Sequence, residues 1–139
     1  MKTITKQILE FTITAFVLSV SFRILLSFSI ENKLNFLGIL TAILYGSLMF
    51  VAGWYFGQKE KRNLPILDIG FRYHLITFLI HNGVSILWFS LGLSSMLENL
   101  NSVISTTIYW SPLLIIHFIC YLLIKKRTVD GLNKENIFD

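Results

Sequence analysis

The stretch "LNFLGILTAILYGSLMFVAGWYF", residues 34–56, runs 23 residues without a charge and is followed at once by "GQKEKR", residues 57–62. As an α-helix it is about 34 Å long at ~1.5 Å per residue, enough for the ~30 Å hydrocarbon core of a bilayer. A long apolar helix that ends in a basic cluster is the pattern of a membrane crossing whose far end lies in the cytoplasm.

Working outward, three further segments fit the same description. Ile8 to Ile30 precedes it across "ENKLN", Tyr73 to Leu93 follows it across "GQKEKRNLPILDIGFR", and Val103 to Ile124 comes after "SSMLENLNS". The whole chain has 139 residues, of which 54% are hydrophobic and 14% charged. That excess of apolar residues is too large to bury in one small soluble core, and the length suits one domain. The expected fold is all-α: a polytopic integral membrane protein, a four-transmembrane-helix antiparallel bundle. A single membrane domain, 1–139, has spans at about 8–30, 34–56, 73–93 and 103–124, a cytoplasmic loop 57–72 and a cytoplasmic C-terminal tail 125–139.

The basic residues orient it. Lys2 and Lys6 precede the first span; Lys59, Lys61, Arg62 and Arg72 lie in the central loop; Lys125, Lys126, Arg127 and Lys134 follow the fourth span. With four crossings all ten fall on one side, leaving Lys33 opposite and Arg23 inside a span. The excess of Lys and Arg on cytoplasmic loops then places both termini inside. The abundance of Ile, Asn, Lys and Phe points to an AT-rich bacterial genome, and so to an inner membrane. The same residues account for the pI near 9.3 by facing the inner leaflet, so nucleic acid is not an expected partner. A cleaved secretory signal built on Phe11 to Phe22 is the rival reading of the first span. Arg23 and Glu10 interrupt that pattern, and the uncleaved helix is preferred.

At about 100° per residue, small and polar residues share stripes. Thr12, Ser19, Arg23 and Ser27 align on the first span, and Gly38, Ala42, Gly46, Gly53 and Gly57 on the second. His74, His81, Ser85, Trp88 and Gly92 align on the third, and Thr106, Tyr109, Trp110, His117, Cys120 and Tyr121 on the fourth. Because lipid tails are as apolar as leucine, helices in a bilayer associate through close contacts and interhelical hydrogen bonds. The stripes are therefore expected to face one another, with Gly53 and Gly57 as the contact for a homodimer or a membrane-protein partner. Pro112 is expected to kink the fourth helix.

Counted from the helix ends, His81 and His117 come out at nearly one level on antiparallel spans. Neutral imidazoles ligate metals and haem iron, and Cys120 lies one turn from His117, so these three are the candidate ligands. The competing expectation is ordinary hydrogen bonding to Ser85, Asn82, Thr77 or Tyr121, and no cofactor is expected. Arg23 is the charge inside a span. It is expected to meet the rings of Trp88, Tyr109 or Trp110, or to snorkel outward to Glu98. Asp68 and Arg72, spaced i,i+4 in a half-apolar loop, mark an interfacial segment or a docking surface, with His74 beside it.

No H-E-x-x-H, paired-cysteine, phosphate-loop or nucleophile-elbow motif occurs, and no two carboxylates share a span. The leading expectation is a non-catalytic membrane module, an accessory, immunity-like or partner-binding protein. The alternatives are a small transporter or channel subunit using Arg23 and the histidines, and a bis-histidine haem or metal protein.

Overall fold

A computed structural model describes residues 5–60 and 66–135, and side chains throughout except at 66–68 and 124–135. Four helices follow one another: α1 (Lys6–Glu31), α2 (Asn35–Glu60), α3 (Ile66–Ser90) and α4 (Leu100–Glu135). The fold is an all-α bundle, and α1, α2 and the Leu100–Leu123 part of α4 are long and apolar enough to cross a membrane. Tyr73, His74, His81 and Asn82 dilute the hydropathy of α3, which runs a comparable 25 residues.

Local chemistry sets the helix ends. Thr5 caps α1, its hydroxyl accepting the Ile8 N–H at 3.3 Å. At the other end of α1, Lys33 takes a left-handed conformation (φ 56°). Its N–H reaches the Ile30 carbonyl at 3.1 Å, and the Leu34 N–H reaches the Ser29 carbonyl at 2.8 Å. This paired closure usually uses glycine, because a Cβ is strained in that region. The end of α3 closes in the same way around Gly92 (φ 68°), with Leu93 bonding back to Trp88. Asn99 then starts α4 by accepting the Asn101 N–H at 2.9 Å.

Two boundaries differ from the sequence expectation. Helix continues through 57–60 and again from Ile66, so most of the expected 57–72 loop belongs to α2 and α3. The segment read as interfacial is the first part of α3. Likewise α4 runs on through 125–135, most of the expected tail. At 36 residues it is about 54 Å long and projects beyond its neighbours. Apolar runs report where lipid is met, not where a helix stops.

Packing is centred on α1, which lies against both α2 and α3, while α4 lies against α3 alone among the described residues. The arrangement corrects the expected mutual facing of all four stripes. Ile8, Phe11 and Ala15 of α1 join Met49, Ile69 and Tyr73 in an apolar core near the end of the bundle that carries Thr5 and Glu60. Toward the opposite end, where the 32–34 and 91–99 turns lie, the buried side chains are mainly polar: Ser19, Arg23, Ser27, Ser29, Ser85 and Ser95, with Val84 the apolar exception. Large apolar side chains such as Phe36, Phe50 and Trp54 lie outside. A polar interior within an apolar exterior is the distribution that a lipid solvent favours.

Only the two ends of the α2 glycine track meet a neighbouring helix. A Cβ on Gly57 would meet Ile69 at 3.6 Å and one on Gly38 would meet Ser29 at 3.9 Å, but Gly46 and Gly53 have nothing within 4 Å. The inward residues are instead Thr41, Met49, Gly57 and Glu60. Gly57 is thus covered by α3, and Gly53 alone of the pair is open.

Candidate functional site: the polar interior

Arg23, one turn beyond Ser19 on the buried stripe of α1, meets Glu98 from the α3–α4 turn. Its Nη2 donates to Glu98 Oε2 at 2.7 Å, and the two side chains are only 5% and 4% exposed. The other carboxylate oxygen, Oε1, accepts the Ser95 N–H at 3.3 Å, which fixes the turn around the acid. Phe89 presents its ring 5.3 Å from the guanidinium carbon. One turn along α1, Ser27 accepts the Trp88 indole N–H at 2.9 Å. These contacts tie α1 to α3 and to the turn following it.

Nearer the middle, Ser19 Oγ lies 3.0 Å from the Tyr45 hydroxyl, which lies 3.0 Å from His81 Nδ1. Helices α1, α2 and α3 each give one member of this chain. Phe22 stacks on Tyr45 with ring centroids 4.5 Å apart, so the phenol is held from its face as well as its hydroxyl. Trp110 of α4 stands edge-on to His81 at 5.5 Å.

The α3–α4 seam uses other groups. The Trp110 indole N–H donates to His74 Nε2 at 3.0 Å, and the Thr107 hydroxyl donates to the Asn82 carbonyl oxygen. His117 stacks on His74, centroids 4.8 Å apart and planes within 9°, while its Nδ1 is 2.8 Å from the Leu113 carbonyl of its own helix.

The structure therefore pairs His117 with His74 and places Trp110 beside His81. The sequence-derived level for His81 and His117 is displaced because α3 starts earlier than its apolar run and α4 ends later. Cys120 is exposed, as are Thr106 and Tyr109, the last at 82%. Among the described residues, no group of three or more His, Cys, Asp and Glu side chains is placed to hold a metal ion. The side chain of Asp68 lies outside the described residues, and Arg72 is half-buried.

For Arg23, Glu98 is the partner and Phe89 supplies the ring. Trp88 and Trp110 are engaged elsewhere, and Tyr109 faces outward. The chain also buries two carboxylates, Glu60 and Glu98, that lie outside the apolar spans. Both enter from helix ends or turns, which a reading confined to apolar runs overlooks. Tyr45 was missed for a related reason: in an aromatic-rich span its hydroxyl gives no periodic signal.

No family model, curated protein or solved structure matches this chain.

Proposed function

We propose that this protein is a non-catalytic, partner-binding module of the bacterial inner membrane, crossing it four times with both termini in the cytoplasm. One observation carries the reading: five polar ties engage side chains of the bundle interior in holding its elements together. Arg23 is occupied by Glu98, His81 by Tyr45, His74 by Trp110, Asn82 by Thr107 and Trp88 by Ser27. Groups so engaged position helices; they are not poised over a reacting centre.

The four-span topology is supported by the charge distribution and by Lys59, whose Nζ donates to the Tyr55 hydroxyl at 2.6 Å at the end of α2. A lysine folded over an interfacial tyrosine is a usual boundary marker. In this reading α3 crosses in spite of its polar residues because α1, α2 and α4 satisfy them. Helix α4 is the docking element, since α3 covers one side of it and leaves the side with Thr106, Tyr109 and Cys120 open.

Photo-crosslinking in native membranes tests the proposal. A crosslinker at position 109 should give a discrete protein adduct, a second copy or another membrane protein, and one at the equally exposed position 36 should give lipid adducts only. Lipid adducts at both positions would refute α4 as a docking helix. Labelling of introduced cysteines in a Cys120→Ser background should reach positions 32 and 99 from outside, and position 130 only after permeabilisation.

A further inference from the structure

Glu60 closes α2 and is wholly buried. Its Oε2 accepts the Thr5 hydroxyl at 2.9 Å, so the carboxylate sits at the N-terminus of α1, a helix with no acidic residue in its first turn. The partial positive charge of that helix end favours an anion there. Glu60 Oε1, however, is buried without a hydrogen-bond partner, and so is the hydroxyl of Tyr73, a residue only 6% exposed.

These two orphan oxygens belong to adjoining turns. Gly57, one turn before Glu60, packs on Ile69, one turn before Tyr73, with a Cβ at position 57 falling 3.6 Å from the isoleucine. Phe11 touches both sides, its ring 6.2 Å from Phe56 and 4.6 Å from Tyr73. Buried polar atoms almost always have partners, and two neighbouring orphans in one cluster point to a missing third body.

We propose that Glu60, with the Tyr73 and Thr5 hydroxyls, forms a binding site for one monovalent inorganic cation, which locks the N-terminus of α1 to α2 and α3. The donors are hard oxygens, the class that takes such ions. A single carboxylate matches a single positive charge, whereas a divalent ion would leave a net buried charge at considerable cost. The absence of three-ligand His, Cys, Asp and Glu clusters among the described residues does not bear on this site, because two of its donors are hydroxyls. The inference is independent of the docking role of α4.

Thermal unfolding of the purified full chain in detergent, in NaCl against choline chloride at equal ionic strength, tests it. Sodium should raise the midpoint saturably, by at least roughly 3 °C, as a ligand specific to the folded state does. Glu60→Gln should abolish the response. Tyr73→Phe keeps the ring on Phe11 and should raise the half-saturating sodium concentration about tenfold, a loss equivalent to one oxygen donor. Equal midpoints of the natural chain in sodium and choline would overturn the proposal and leave a buried water as the third body. An unchanged sodium response in Glu60→Gln would also overturn it. Should Glu60→Gln fail to fold, Tyr73→Phe decides, and an unaltered half-saturation there refutes the site.

Discussion

Removing Glu98 is the sharpest test of the interior as drawn. Arg23 would then keep a guanidinium 5% exposed, with its 2.7 Å carboxylate partner gone and its Nε already unpartnered. Deleting one member of a buried ion pair costs about 3–5 kcal/mol, because the remaining charge is stranded. Phe89 offsets part of this, at most about 2 kcal/mol for a desolvated cation over a ring. The Ser95 N–H also loses its acceptor, adding ~1 kcal/mol. Glu98→Ala should therefore destabilise by roughly 2–4 kcal/mol. Arg23→Met together with Glu98→Leu leaves no stranded charge and should lie within about 2 kcal/mol of the natural chain, well short of the two single losses added. Reversible unfolding in mixed micelles of increasing SDS fraction measures all four corners of the cycle. A loss below 1 kcal/mol for Glu98→Ala, or additivity across the cycle, would show that the pair is hydrated and that the turn end is not closed by it.

Three further outcomes are expected by the same assay. Gly57→Leu should cost about 2 kcal/mol or more by driving α3 away at Ile69, while Gly53→Leu, facing open space, should stay within ~0.5 kcal/mol; equal losses would mean that α2 is rotated. Lys33→Gly relieves a left-handed lysine and should stabilise by roughly 0.5–1 kcal/mol, a gain that would be absent if the 32–34 turn were built differently. Tyr45→Phe removes the link between Ser19 and His81 and should cost ~1–2 kcal/mol, with His81→Phe then adding much less than it does alone; independent losses would show that the three residues do not form a chain.

Much of the interior was legible in the residues. The α1 stripe of Ser19, Arg23 and Ser27 is buried as its period indicates, and on α3 Ser85 is buried, Trp88 bonds to Ser27 and His81 reaches Ser19 through Tyr45. These residues are polar in an apolar run, and bilayer physics leaves them only an inward direction. The α2 face was not legible from its glycines, because a small residue marks room without saying what fills it. Glu60 sits in a run of charges that reads as solvated; its burial depends on α2 continuing one turn past the apolar run to meet Thr5, a tertiary event. The pairing of His74 with His117 follows from a register that helix lengths decide, and those lengths were hidden by charged but helix-compatible sequence at 57–60 and 125–135.

The distribution of ties along the bundle also separates its helices by role. Helix α1 has a polar tie at every level: Thr5 to Glu60, Ser19 to Tyr45, Arg23 to Glu98 and Ser27 to Trp88. Helix α4 is joined to α3 through Thr107, Trp110 and the His117 stack, and does not pack on α1 or α2 among the described residues. Interhelical hydrogen bonds in a bilayer contribute only about 0.6 kcal/mol on average. By that measure these two hydrogen bonds alone hold α4 weakly. It is not freely exchangeable, however, because its departure would open His74 and Asn82 to lipid, and polar groups without partners there cost several kcal/mol each. The seam with α3 is thus committed to the chain itself. On the proposed docking role, the surface offered to another protein is the side of α4 away from α3, where Tyr109 and Cys120 lie exposed in its apolar Leu100–Leu123 part.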